Sequence, residues 1–213
     1  ILGKVRLFFL KHMIIFSTKK ASSVIALSNE GKKILIKYGV EKKKIIEISI
    51  GVKKQKMLLK NKSLISREKY ILYVSHFYRY KNFEQLIMAY SKLPNYVVSK
   101  FRLKLVGNFS DKKYVQSLQR MSKKMNISNK IDFIAGVKSK DLNSIYKKAS
   151  LFVFPSRIEN CPNILLEAMS FSLPILVTKT PPMPEFSGKV AKYFDIDNSI
   201  DLAKKINKLL NSK

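Results

Sequence analysis

Short apolar runs that alternate with helical patterns constrain the fold of this chain more than any other sequence feature. The runs typical of strands lie at 70–74, 101–106, 131–134, 151–154, 174–177 and 191–194. Patterns with a helical period lie between and after them, at about 82–93, 111–125, 140–148, 163–171 and 199–211. This alternation predicts an α/β fold, with a parallel sheet covered by helices on both faces. Ligands of such sheets bind beyond the carboxyl ends of the strands, so the strand-to-helix loops are the candidate site.

The part of the chain before the first of these strands has a different organisation. Residues 1–16 are predicted to form a helix with one apolar stripe, and this stripe consists of Leu2, Val5, Phe9, Met13 and Phe16. Such a helix either lies on an anionic bilayer or packs against a neighbouring domain. Ser28 is expected to cap a second helix that ends at Gly39. The predicted division is 1–52 as a separate segment, 53–69 as a Lys-rich linker and 70–213 as the main domain.

Basic residues outnumber acidic ones by 42 to 14, which gives a net charge of +28. A surface of this charge attracts anions such as nucleic acid, anionic lipid or phosphorylated small molecules. Only six of the basic residues are Arg, whereas nucleic-acid readers favour Arg forks, so nucleic acid is the least favoured of the three. The single cysteine, Cys161, excludes an internal disulfide, and no apolar run reaches the length of an ordinary membrane-spanning helix.

The loop after the strand at 151–154 is the richest in candidate functional residues. Pro162 is suited to the first turn of a helix, so the backbone N–H groups of Asn163, Ile164 and Leu165 are expected to point outward from its start. With the positive end of the helix dipole, such groups form an anion site suited to a diphosphate.

Two carboxylates, Glu159 and Glu167, bracket this anion site. Carboxylates repel phosphate but accept hydrogen bonds, so they are suited to sugar hydroxyls on either side of a diphosphate. The alternative is structural: a capping acid near the helix start and a solvated Glu on the helix.

Two further loops carry weaker signals. After the strand at 70–74, Arg79 and Lys81 lie where a phosphate clamp would be placed, and His76 is either a phosphate donor or a capping residue. After the strand at 101–106, Gly107 would let the backbone approach a flat base or a ribose. The alternative for Arg79 and Lys81 is ordinary surface charge.

Several other constellations are not supported by the spacing of the residues. Two histidines and one cysteine, far apart in sequence, offer no metal-ligand spacing. Asp195 and Asp197 form an Asp-x-Asp pair, but their place before the last helix favours capping over metal binding. No Walker-type phosphate loop is present.

The segment SRIENCPNILLEAMSFSLPILVT, in which seven residues separate Glu159 from Glu167, resembles the Glu-x7-Glu signature of glycosyltransferase family 4, the group 1 glycosyltransferases. ASSVIALSNEGKKILIKYGVEKKKIIEISIGV is similar to the segment that leads into the donor domain of that family. YILYVSHFYRYKNFEQLIMAYSKL resembles the first strand and helix of that domain, and PEFSGKVAKYFDIDNSIDLAKKINKLL its closing segment. The resemblance covers about residues 20–211.

The resemblance implies a GT-B architecture of two Rossmann-like domains, with residues 70–213 as the C-terminal, nucleotide-sugar-binding half and 1–52 as a remnant of the other. It assigns the ribose hydroxyls to Glu167 and the hydroxyls of the donor sugar to Glu159, the expected catalytic residue. Asn160 and Cys161 would line the sugar pocket, and the backbone from Asn163 would meet the diphosphate.

The resemblance also identifies a departure in the expected phosphate clamp. Lys81 matches the family's phosphate-binding Lys, but His76 stands where an Arg is common and Ser75 where a Gly is usual. Arg79 is the candidate replacement for that Arg.

By resemblance, then, the expected protein is the donor half of a retaining hexosyltransferase. It would move a sugar from a nucleoside diphosphate sugar to a glycan or lipid-linked acceptor, without metal or cofactor. The expected setting is surface polysaccharide synthesis in the cytoplasm, at the inner face of the cell membrane.

Because most of the acceptor domain is missing, the chain is expected to be a fragment or to have a partner chain that supplies that domain. The alternatives are a non-catalytic module that binds nucleotide-sugar or a partner and, less favoured, a basic nucleic-acid-binding protein.

Overall fold

The structure is a computed structural model that describes residues 2–52 and 68–211. It divides into two units, Ile1–Gly51 and Val52–Lys213. Residues 53–67 of the predicted linker lie outside the described residues, so the division into 1–52, 53–69 and 70–213 stays a prediction.

The first unit contains two strands and two α-helices within its described residues: α1 (Leu2–Lys20), β1 (Val24–Ala26), α2 (Asn29–Lys37) and β2 (Ile45–Glu47). The two strands are parallel, and Ala26, Val40 and Ile45 form a small core beside them. The Ser28 hydroxyl accepts a hydrogen bond from the Gly31 N–H at 3.0 Å, and this satisfies one of the donors that a helix start leaves free. The predicted Ser28 cap is therefore confirmed.

The apolar side chains of α1 differ from the predicted pattern. Leu7, Phe8, Phe9 and Leu10 are all exposed, and so are Met13, Ile14 and Phe16 farther along. Four successive residues at about 100° each cover most of the helix circumference. The prediction of a single apolar stripe is therefore wrong, because the apolar residues lie on all sides of the helix. No helix within the described residues is long and apolar enough to cross a membrane.

The described part of the second unit contains a six-stranded sheet in which every neighbouring pair is parallel. Its strands are β3 (Tyr70–Val74), β4 (Arg102–Val106), β5 (Ile131–Ile134), β6 (Leu151–Phe154), β7 (Ile175–Thr178) and β8 (Lys192–Phe194). Each lies within one residue of its prediction. All residues of β3, β6 and β7 are buried, as expected for central strands covered on both faces.

Helices connect these strands and supply the rest of the core. They are α3 (Phe83–Ser91), α4 (Asn95–Lys100), α5 (Lys112–Lys124), α6 (Ser139–Lys148), α7 (Asn163–Ser170), α8 (Met183–Ser187) and α9 (Ser199–Asn211). The five predicted helices are present, with ends that agree within two residues. The two that sequence analysis missed, α4 and α8, have six and five residues, too few to show a helical period.

The strand order β5-β4-β3-β6-β7-β8 places the candidate site. When the strands of this unit are numbered 1 to 6 along the chain, they lie in the sheet in the order 3-2-1-4-5-6. In this doubly wound order, the side of the sheet on which successive strands are added switches between the first and fourth strands. Those two strands are β3 and β6, which pair through Ile71–Leu151 and Leu72–Phe152. The loops after them diverge and leave a crevice, and these are the loops that contain Lys81 and Glu159.

Candidate functional site

A cavity of about 480 Å³ opens at the carboxyl ends of β3, β4 and β6. Ten of the thirteen predicted site residues line it: Ser75, His76, Lys81, Gly107, Glu159, Cys161, Pro162, Asn163, Ile164 and Glu167. The other lining residues are Val74, Val106, Asn108, Val137, Leu142 and Phe154. The lining therefore combines an apolar wall with a few polar and charged groups, as is usual for small-molecule sites.

The two charged residues predicted for different parts of a ligand lie in direct contact. Lys81 Nζ is 2.6 Å from Glu159 Oε1, and the two side chains are only 12% and 10% exposed. Lys81 ends a single turn of 3-10 helix, Arg79–Lys81, and the Tyr73 hydroxyl donates to its carbonyl oxygen at 2.8 Å. Burial raises the pKa of Tyr73 well above its ordinary value, so this hydroxyl stays protonated and able to donate.

The loop that carries Glu159 is tied to the turn that carries Lys81. The Arg157 N–H donates to the Tyr80 carbonyl oxygen at 2.9 Å, and the guanidinium of Arg157 contacts both Asp197 and Asn82. Residues far apart in sequence thus fix the relative position of the two loops. Sequence analysis did not identify this function for Arg157, because no local pattern indicates it.

The second carboxylate, Glu167, has a partner that sequence analysis also missed. The Tyr146 hydroxyl lies 3.3 Å from Glu167 Oε2, and the buried Tyr146 ring stacks on Phe171 with their centroids 5.1 Å apart. Burial, reinforced by the negative charge of Glu167, raises the pKa of Tyr146, so it remains a neutral donor. In the sequence Tyr146 is one more member of the apolar face of a predicted helix, which gives no sign of a polar contact.

The start of α7 provides fewer free donors than predicted. The Asn163 N–H donates to the Cys161 carbonyl oxygen and the Leu165 N–H to that of Pro162, both at 2.9 Å. Of the three predicted N–H groups, Ile164 alone donates to no acceptor within the described residues. The prediction is therefore wrong for Asn163 and Leu165, because tight turns at the helix start satisfy them locally. The side chain of Leu165 is fully buried in the core.

The structure gives a reason for a glycine at position 107 that sequence analysis did not anticipate. A Cβ built on it would lie 1.8 Å from the Ser75 carbonyl oxygen and 2.6 Å from the Ser75 carbonyl carbon. The Ser75 N–H donates to Val106 O, and the Phe77 N–H to Asn108 O, on either side of this contact. Gly107 lines the cavity as predicted, but its missing side chain makes room for the neighbouring loop.

Comparison with known proteins identifies the family. Residues 55–213 match the family model described as Glycosyl transferases group 1. The chain belongs to this family. The predicted resemblance is thereby confirmed.

Curated relatives of this group 1 glycosyltransferase include an uncharacterized glycosyltransferase of Haemophilus influenzae. It is 30% identical over 126 residues, which cover 59% of this chain and 34% of the relative. The O-antigen chain mannosyltransferase RfbU of Salmonella typhimurium is 27% identical over 191 residues, 89% of this chain and 51% of the relative. The chain thus spans between a third and a half of the length of these relatives.

Solved structures show the same fold. Anabaena Alr3699/HepE in complex with UDP and glucose has a TM-score of 0.81 at 20% identity, over 94% of this chain and 57% of the other. WaaG, a glycosyltransferase involved in lipopolysaccharide biosynthesis, has a TM-score of 0.76 at 17% identity, over 88% and 53%. The predicted fold class, a Rossmann-like C-terminal half of a GT-B fold, is confirmed.

Three predicted site residues do not line the cavity: Leu165, whose side chain lies in the core, Arg79 and Asn160. The Arg79 guanidinium lies over the Tyr114 ring, 5.1 Å from its centroid, and the Tyr114 hydroxyl donates to Glu84. This cation–π contact holds Arg79 outside the lining, so the structure does not support it as a replacement phosphate clamp. Asn160 is exposed and also absent from the lining, whereas His76 lies within it.

Proposed function

We propose that this chain is the donor-binding half of a retaining glycosyltransferase. It would act on a nucleoside diphosphate sugar, and the hexosyl group would pass to a glycan or lipid-linked acceptor in surface polysaccharide synthesis. The observation that carries the proposal is the cavity at the β3–β6 crevice, in which Lys81, Glu159 and Glu167 converge.

The chemistry of the lining is suited to the two ends of such a donor. Glu167, held by Tyr146, would accept hydrogen bonds from the ribose, and Glu159 from the hydroxyls of the sugar. Lys81 and the Ile164 N–H at the start of α7 would face the diphosphate. During transfer the bond between the anomeric carbon and the phosphate oxygen breaks, the acceptor oxygen bonds to that carbon, and the proton of the acceptor hydroxyl passes to the departing diphosphate or to solvent. Lys81 and the helix start would stabilise the negative charge that develops on the departing diphosphate.

Two comparisons support the substrate class. The relatives include two proteins that are named as mannosyltransferases of the O-antigen chain. The structural neighbours include Alr3699/HepE in complex with UDP-glucose. They support a nucleoside diphosphate hexose as the donor and a growing glycan as the acceptor, with the second half of the active site supplied by further sequence or by a partner chain.

Calorimetry with UDP, GDP, UDP-glucose and GDP-mannose tests the donor site. We expect at least one sugar nucleotide to bind with one-to-one stoichiometry and Glu167→Gln to weaken it. For the enzyme with both halves, NMR of the product would establish whether the anomeric configuration is retained. Binding of none of the four ligands would contradict the donor assignment. Binding without transfer or donor hydrolysis, in the presence of the second half, would favour the non-catalytic module instead.

We also propose a location at the inner face of the cell membrane, which the net charge of +28 supports because anionic lipids attract Lys at about 1 kcal/mol per residue near the surface. Sedimentation with phosphatidylglycerol vesicles, but not with neutral lipid, is the expected result. Equal pelleting with both lipids, or none, would contradict this location.

A further inference from the structure

The charge of the cavity lining is opposite in sign to that of the whole chain. Among the described residues that line the cavity, Lys81 is the only Lys or Arg, whereas Glu159 and Glu167 contribute two carboxylates. The single ammonium group is already paired, since its Nζ lies 2.6 Å from Glu159 Oε1. A chain of net charge +28 therefore presents a lining of net charge −1 to an anionic ligand.

This pairing penalises an anion that binds by itself. A phosphate that reaches Lys81 either takes the ammonium group from Glu159 or comes to lie beside the carboxylate. In the first case a carboxylate that is 10% exposed loses its counter-ion, and in the second two negative charges become neighbours in a partly desolvated site. Both outcomes weaken the binding of a bare diphosphate.

A ligand that also carries hydroxyl groups removes this penalty. Hydroxyls are hydrogen-bond donors, and a carboxylate that accepts two of them is satisfied without an ammonium partner. The diphosphate can then take Lys81 while the hydroxyls take Glu159, so each group of the ion pair exchanges one charged partner for a ligand partner.

We infer that the Lys81–Glu159 ion pair is a specificity device that couples recognition of the diphosphate to recognition of the attached sugar. It makes the site favour an intact nucleoside diphosphate sugar over the nucleoside diphosphate that remains after transfer. This inference rests on the proposed function, since it takes the donor to lie in this cavity. Its consequence is that the spent nucleotide leaves more readily than the donor.

Neutralising Glu159 tests the coupling. In Glu159→Gln the ammonium group of Lys81 is released from a charged partner, and a hydrogen bond to a charged group is worth a factor of about ten or more in affinity. We expect inorganic pyrophosphate, UDP and GDP to bind Glu159→Gln about tenfold more tightly than the wild-type chain, as measured by calorimetry. The ratio of the affinities for UDP-glucose and UDP, or for GDP-mannose and GDP, should fall by a similar factor.

Glu167→Gln is the matched control. It removes the same charge from the same cavity, but Glu167 contacts Tyr146 and not Lys81. Pyrophosphate has no ribose and cannot lose ribose contacts. The difference between its affinities for the two variants therefore reports the effect of the ion pair alone. A second variant, Glu159→Asp, keeps the charge but draws the carboxylate back by one methylene, and it should show part of the gain. Circular dichroism verifies that each variant is folded.

The possible outcomes separate this inference from the proposed function. An equal gain for Glu159→Gln and Glu167→Gln, or no gain for Glu159→Gln and Glu159→Asp, would overturn the coupling, even if the wild-type chain binds a sugar nucleotide. A gain in pyrophosphate affinity specific to the Glu159 variants would support the ion pair as a barrier to anions. If the wild-type chain then bound none of the sugar nucleotides, the proposed function would fail while the barrier stood.

Discussion

Replacement of Gly107 by alanine tests whether the cavity depends on the close approach of two loops. The added Cβ would lie 1.8 Å from the Ser75 carbonyl oxygen, whereas real Cβ atoms essentially never come closer than 3.0 Å to such an atom. Relief of this overlap requires one of the two backbones to move by about 1 Å or more, a displacement that no rotamer change can replace because both partners are backbone.

The expected loss of stability follows from the contacts that this movement strains. Gly107 has φ +154°, a conformation that costs a residue with a side chain about 1–3 kcal/mol. The hydrogen bonds from Ser75 to Val106 and from Phe77 to Asn108 lie on either side of the overlap, and loss of one buried bond costs a further ~1–3 kcal/mol. We expect a total of roughly 2–6 kcal/mol, which in a unit of this size lowers the Tm by about 5–20 °C.

Gly136→Ala is the matched control, because Gly136 also has a positive φ, +68°, but its Cβ would meet no atom within 4 Å. It should cost only the backbone strain, about 1–2 kcal/mol. Thermal unfolding followed by circular dichroism measures both variants, and calorimetry should show loss of nucleotide binding in Gly107→Ala alone. If Gly107→Ala lost no more stability than Gly136→Ala, the steric argument would be refuted.

Three other predictions test individual contacts. Tyr146→Phe keeps the stacking on Phe171 but removes the donor to Glu167, so we expect about a fivefold loss of affinity for a ribonucleoside diphosphate and none for its 2′,3′-dideoxy analogue. Asp111→Ala removes the carboxylate that accepts from the Tyr114 N–H at the start of α5, and it should cost ~1 kcal/mol in a urea melt, whereas Asp111→Asn should retain most of the stability. The third prediction concerns tyrosines whose pKa is raised chiefly by burial: Tyr70, Tyr73, Tyr90, Tyr114 and Tyr146. Burial raises the pKa of Tyr90 to about 12, against about 10 in an unfolded chain, so the stability that these neutral groups contribute is complete below pH ~10 and falls as the pH rises above it. Absorbance at the tyrosinate band should show that these residues do not ionise near pH 10 in the folded chain but only at about pH 12 and above or on unfolding, and reversible ionisation of all tyrosines near pH 10 in the folded chain would contradict this.

The fold could be predicted from the sequence because its signals are local and repeated. In each strand of the second unit apolar residues predominate, and each long helix shows a period of its own, so the boundaries agree within two residues. The helix α1 shows where local reasoning failed. Selection of five apolar residues at helical spacing indicated a stripe, but it disregarded Leu7, Phe8 and Leu10 between them.

The composition of the site could be predicted because the topology of a parallel sheet brings the ends of its strands together. Glu159, Glu167 and Lys81 follow β6 and β3, which are adjacent in the sheet although the residues that pair, Lys81 and Glu159, are 78 positions apart. The contacts among the side chains could not be predicted in this way. These contacts depend on rotamers and on packing between distant segments, of which the sequence shows no local trace. They are the ion pair of Lys81 with Glu159, the hydrogen bond from Tyr146 to Glu167 and the contact of Arg79 with the Tyr114 ring.

The positive charge that dominates the sequence acts at a different range from the groups that define the site. At physiological ionic strength a charge is screened over about 8 Å, so lysines spread over the surface raise the local concentration of anions without selecting among them. Selection depends on groups that water screens poorly, and in this cavity those are one ammonium group and two carboxylates. A lining as basic as the surface would bind every phosphate strongly, the spent nucleotide included. The two acidic residues make the lining discriminate by hydroxyl groups instead, so a +28 chain can attract nucleotides in general and still hold the sugar-bearing form in preference.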